Sequence, residues 1–213
     1  MLTACAARFL GRCCISLSSW CFGMVRLKLP DGWLDYDLNL FMDIARPLDR
    51  EIQELLEVVK TDWNTADMFD YPLTIEQLLG VGLAAAQVYM TSAMREQKAP
   101  RKDALALGPL HPRGHTLAQL INHGANFWKH ADEWDYDVPD KRRDAILRAF
   151  SGIGIPDDHW QLLELVRSIT GASEPRLTNL QPLLEEWRVA LDESFPGDRG
   201  RALPASEEGA RGP

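Results

Sequence analysis

The chain has 213 residues, 46% of them hydrophobic and 25% charged, and a formal net charge of -8. That composition suits one soluble globular domain with a real core. It excludes a disordered chain, a collagen-like repeat and a disulfide miniprotein. The acidic balance argues against nucleic acid as a partner, short of a local basic patch.

All four cysteines, Cys5, Cys13, Cys14 and Cys21, lie in the first 21 residues. Residues 1–24 also carry Arg8 and Arg12, no acid, and a second methionine at Met24. Two readings stay open: a transit-type leader, or a true start at Met24. Either way residues 1–24 are expected to lie outside the core. The cysteines are separated by seven, no and six residues, which is not the paired spacing of structural zinc. At the other end, Gly and Pro fill seven of the 18 positions from 196 to 213, with Leu203 the one large apolar side chain. Such a tail cannot repay its ordering entropy. The folded domain is therefore expected over residues 25–195.

In chain order, VRLKL at 25–29 is the only plausible strand, and a single strand cannot stand alone. Residues 36–45 read as a turn or short helix ended by Pro47. Pro47 then opens a helix carrying Leu48, Ile52, Leu55, Leu56 and Val59 at helical spacing. Thr74–Gln97 forms a second long helix. Its stretch from Gln77 to Met94 is uncharged for 18 residues, the threshold of a membrane span. Gln77, Gln87, Thr91, Ser92 and several Gly and Ala residues dilute it, so it reads as the central helix of a soluble bundle. Residues 98–114, with three prolines and two glycines, predict a long loop. A third helix is expected over 115–134. Pro139 opens a fourth, Pro156, Asp157 and Asp158 open a fifth that Gly171 closes, and a Thr178–Gln181 capping box opens a sixth that ends near Ser194. The expected fold class is all-α: a single compact bundle of about six helices.

The third helix carries the pattern with chemical content. Over LAQLINHGANFWKHADEW, a 100° step places Leu117, Leu120, Ile121, Gly124, Phe127, Trp128, Ala131 and Trp134 on one broad side. Gln119, Asn122, His123, Asn126, Lys129, His130 and Glu133 share the other. Solvent faces favour Glu, Lys and Arg, yet only Lys129 and Glu133 of these seven are charged. Amides and imidazoles gathered in one stripe fit a groove with partners. Asn122, Asn126 and His130 are four apart and so neighbours on the helix. His123 and His130 stand two turns apart, too far to share a metal ion, and no metal or cofactor is expected. The basic run Lys141-Arg142-Arg143 lies among Asp137, Asp140 and Asp144 and reads as a solvated helix face.

TLAQLINHGANFWKH is loosely similar to the second helix of DinB-type four-helix metal proteins. The later HxxxH of that family is missing; only His159 follows His130. The stretch also resembles helical HEPN domains of bacterial defence systems, which cut RNA or bind nucleotides. Their Arg, four to six residues, then His is not met by any arginine here. No residue role passes from either family.

Two functions from different classes follow. The first is action by contact, in the cytoplasm and without a membrane span, through an unknown protein partner or as a homo-oligomer. Trp63, Trp134, Trp160 and Trp187 sit at helix ends where they could anchor an interface. The second is a bacterial-defence-like RNA-acting or small-ligand enzyme using the polar stripe. There His130 is the general acid or base, because its ordinary pKa of about 6.5 suits neutral pH. Lys129 would hold an anion and Asn126 and Asn122 would orient it, with His123, Gln119 and Glu133 completing the binding set.

Overall fold

The computed structural model describes residues 26–29, 32–156 and 160–196. The expected leader at 1–24, almost the whole tail and Asp157, Asp158 and His159 lie outside the described residues. Among those described, eight α-helices and one small hairpin form an all-α fold with dense helix–helix contacts.

The strand at Arg26–Leu29 (β1) is not alone. It pairs antiparallel with Gly32–Asp35 (β2), Arg26 opposite Asp35 and Leu29 opposite Gly32. Asp35 then caps the first helix, Tyr36–Thr61 (α1), by accepting a 3.0 Å bond from the Leu38 amide. This helix runs straight through Pro47, against the expected break. Both Pro47 and Asp43, whose carbonyl the proline ring leaves unpaired, lie on the exposed face, where water replaces the lost bond. The short helix Trp63–Met68 (α2) leads into Tyr71–Glu96 (α3).

By length and composition α3 could cross a membrane, but half of its apolar window is buried inside the protein. It is the central helix, packed against α1 and against Leu117–His130 (α5). Two glycines set the closeness of α3 and α5. A Cβ on Gly80 would sit 2.1 Å from the Trp128 ring, and one on Gly124 would sit 2.9 Å from Leu83. Trp128 also donates its indole N–H to Gln77 at 2.7 Å.

The expected 98–114 loop contains a short helix, Arg101–Leu105 (α4). It is fastened to the core by Trp187, whose indole N–H donates to the Ala104 carbonyl at 2.9 Å. The Thr116 hydroxyl donates to the Leu105 carbonyl as well. The helix expected over 115–134 is shorter, α5 followed by a 3-10 turn at Ala131–Glu133. The next helix is Lys141–Ile153 (α6). Its cap is Asp140, with Pro139 just outside, and Gly154 ends it at φ +86°.

The fifth expected helix is Gln161–Thr170 (α7), closed by Gly171 as read from the sequence. Trp160 at its N-cap position supplies no side-chain cap. Glu76 on α3 takes that place, accepting from the Leu162 and Leu163 amides at 2.9 Å each. The last helix, Gln181–Ser194 (α8), follows a 3-10 turn at Leu177–Leu180. The expected Thr178–Gln181 capping box does not form. The Thr178 hydroxyl donates to Asp49 at 2.6 Å, and Gln181 donates to Glu185. A carboxylate 129 residues away outcompetes the local partner because it accepts three bonds at once, from the Leu177 and Thr178 amides and the Thr178 hydroxyl.

Candidate functional site

Helices α3, α4, α5 and α6 enclose an open cleft of about 520 Å³ lined by Gln87, Arg101, Asn122, His123, Asn126, Lys129, His130, Arg142, Ala145 and Ile146. Five of the seven stripe residues read from the sequence are in that lining. Thr116 and Gln119 form a reciprocal capping box at the start of α5, so Gln119 serves the helix end and not the cleft. Glu133 stands outside the lining and accepts from or shares a proton with His130, Nδ1 to Oε2 at 2.9 Å.

Five lining residues come from elsewhere in the chain. Gln87 is the polar position inside the uncharged stretch of α3, and it is buried. Arg101 stands on α4, held in place through Ala104 and Trp187. Arg142 belongs to the basic run read as a solvated face; its neighbour Arg143 is itself buried, donating to the Asp135 carbonyl and to Asp144. Arg142 does share a helix side with Ala145 and Ile146, three and four residues on, and all three line the cleft.

The hydrogen bonds run in one direction. Gln87 Nε2 donates to Asn122 Oδ1 at 2.7 Å and to Asn126 Oδ1 at 3.2 Å. Arg101 donates to Asn122 Oδ1 at 2.5 Å. Lys129 Nζ donates to Gln87 Oε1. All three amide oxygens are thus occupied from within. The groups left over are donors: the Nδ2 groups of Asn122 and Asn126 and the remaining N–H groups of Arg101, Lys129 and Arg142.

Among the described residues no carboxylate lines the cleft. Burial, and then the positive charges of Arg101 and Arg142, lower the pKa of Lys129. Burial, and then the charge of His115, lower that of His123, whose buried Nδ1 has no hydrogen-bond partner. Cations that repel one another in this way favour a negative charge among them. Among the described residues no three His, Cys, Asp or Glu side chains come together as a metal set.

The chain matches no protein-family model, no curated protein and no solved structure. The chemistry of the cleft therefore stands on its own residues.

The tryptophans expected as interface anchors divide. Trp187 is core, and Trp134 and Trp160 pack partly buried against it. Trp63 alone of the four is exposed, on a stretch of chain that also exposes Met68, Phe69 and Leu73.

Proposed function

We propose that this protein binds a small anionic ligand in the cleft between α3, α4, α5 and α6. One observation carries the reading: three cations from three helices share a lining that, among the described residues, contains no carboxylate, with each amide oxygen already accepting a bond from within. An anion relieves the mutual repulsion and fills the unmatched donors at once. Of the two functional classes, the small-ligand site is the better supported.

His130 gives the cleft a group able to move a proton. Glu133 on its Nδ1 favours the tautomer with the proton there and leaves Nε2 as the acid–base atom. Lys129 and the two arginines hold the anion, and Asn122 and Asn126 orient it through their N–H groups. A cytoplasmic setting fits a body without cysteine after Cys21.

A thermal-shift panel at constant ionic strength tests the binding. Small multivalent anions raise Tm in a saturable way, following the free energy of binding to the native state alone. Neutral sugars do not. Arg142→Glu abolishes the rise. A panel without any saturable rise, or an equal rise in Arg142→Glu, rejects the cleft as an anion site.

Contact with a protein partner or a second copy rests on the exposed cluster of Trp63, Met68, Phe69 and Leu73. If that cluster drives self-assembly, Trp63→Ala lowers the sedimentation coefficient at high protein concentration. A wild-type chain that stays monomeric there removes self-assembly from consideration.

A further inference from the structure

We infer that the ligand of this cleft is a compact phosphate monoester, neither a carboxylate nor a nucleotide. This rests on the anion-binding reading and narrows it. The first ground is the shape of the charge. Arg101 comes from α4, Lys129 from α5 and Arg142 from α6, so the cations surround the space from different sides. A monocarboxylate is planar, offers two oxygens and one charge, is satisfied by a single guanidinium fork and would leave the other cations unmatched, and a dicarboxylate splits its two charges between two separate planes instead of gathering them at one centre. A phosphate monoester carries close to two charges at neutral pH and three terminal oxygens, enough for all three.

The second ground is what the lining withholds. All three amide oxygens are engaged, and no carboxylate is present, so the lining favours acceptor oxygens over donor-rich groups.

The third ground is size and polarity. Among the described residues the only apolar lining is Ala145 and Ile146, and no aromatic ring lines the cleft. Nucleobases are held by stacking on aromatic side chains, each stack contributing substantially, and nothing here offers one. The chain's net charge of -8 also opposes a long polyanion such as RNA, whose binding is dominated by phosphate neutralisation. The part of the ligand beyond the phosphate is therefore small and polar.

Isothermal titration calorimetry on the full chain, near pH 7.5 and at constant ionic strength, separates the possibilities. The probes are glycerol 3-phosphate, malonate and adenosine monophosphate. Glycerol 3-phosphate is expected to bind about tenfold or more tightly than malonate, the difference of one or more charge-assisted hydrogen bonds. Adenosine monophosphate is expected to bind no more tightly than glycerol 3-phosphate. Arg142→Glu loses binding while keeping its circular dichroism, because Arg142 is exposed and its bond to the Asp140 cap is made by its backbone N–H, which the substitution keeps. If that variant fails to fold, Lys129→Met takes its place with the same expected loss. Malonate binding as tightly as glycerol 3-phosphate overturns the phosphate assignment and leaves the anion cleft standing. Tighter binding of adenosine monophosphate by about tenfold overturns the compact ligand, because it requires a base platform. No heat with any probe overturns both the assignment and the anion-binding reading.

Discussion

A single nitrogen, His123 Nδ1, ties the cleft to the stability of the fold. It is buried without a partner, and burial holds the imidazole below its ordinary pKa, with the charge of His115 acting in the same direction. The unfolded chain takes up a proton near pH 6.5, whereas the folded chain resists doing so. The titration of His123 therefore contributes nothing at pH 8, and stability is lost as pH falls from about 6.5 through its lower folded value. His111, lowered chiefly by burial, acts with the same sign. The expected outcome is that His123→Gln flattens the fall in urea midpoint between about pH 7 and pH 5 without abolishing it, since His111 remains. Parallel curves for wild type and variant would show that His123 is not the group responsible. In the sequence, His123 was recognisable as part of a polar stripe, because helical spacing fixes which residues share a side. Its missing partner was not, since that depends on what packs across the cleft. The T-x-x-Q pattern at Thr116–Gln119 was a readable capping signal that separates Gln119 from the stripe.

Among the elements, the expected third helix stands as α5, shorter at both ends, and α7 closes at Gly171 as its sequence implies. What failed were the local rules that a distant side chain could override. The capping box at Thr178 lost to Asp49 on α1, and the start of α7 is capped from α3 by Glu76. Pro47 failed as a helix stop because the Asp43 carbonyl that it leaves unpaired lies on the exposed face. Strand β2 escaped notice because GWLD has too few residues to display alternation. Asp49 offers the sharpest test of such long-range capping. It is buried and accepts three bonds from the turn at Leu177–Leu180, at 2.6, 3.0 and 2.6 Å. Asp49→Ala strands two amides and a hydroxyl, at a cost of about 2–3 kcal/mol. Asp49→Asn keeps an acceptor and recovers part of that loss. Urea unfolding of the two variants checks the order, and equal midpoints for Asp49→Ala and wild type would mean that water replaces the carboxylate.

Across the whole molecule, the cleft exists because elements far apart in sequence are fixed to one central helix. Arg101 reaches Asn122 only while α4 is held, and α4 is held by Trp187 on α8. The placement of α8 depends in turn on Arg188, 2% exposed, which pairs with Glu96 at the end of α3 at 2.7 Å and with Asp192 at 3.0 Å. Ion pairs of this depth are weak stabilisers compared with an apolar substitute, but removing one partner leaves the other charge stranded. Arg188→Ala should therefore cost about 3–5 kcal/mol, read as a lower urea midpoint with an unchanged slope. Since α8 carries the anchor for α4, the effect should reach the cleft as well. With Arg188→Ala held under conditions where it remains folded, anion affinity falls although Arg188 is not in the lining. Tryptophan fluorescence and far-ultraviolet circular dichroism should still report one coincident transition, because Trp187 ties α8 to the core. Two separate transitions would mean that α8 detaches alone. In that event, loss of anion binding should track the first transition, when Arg101 is released, and binding that survives to the second would break the proposed link between α8 and the cleft.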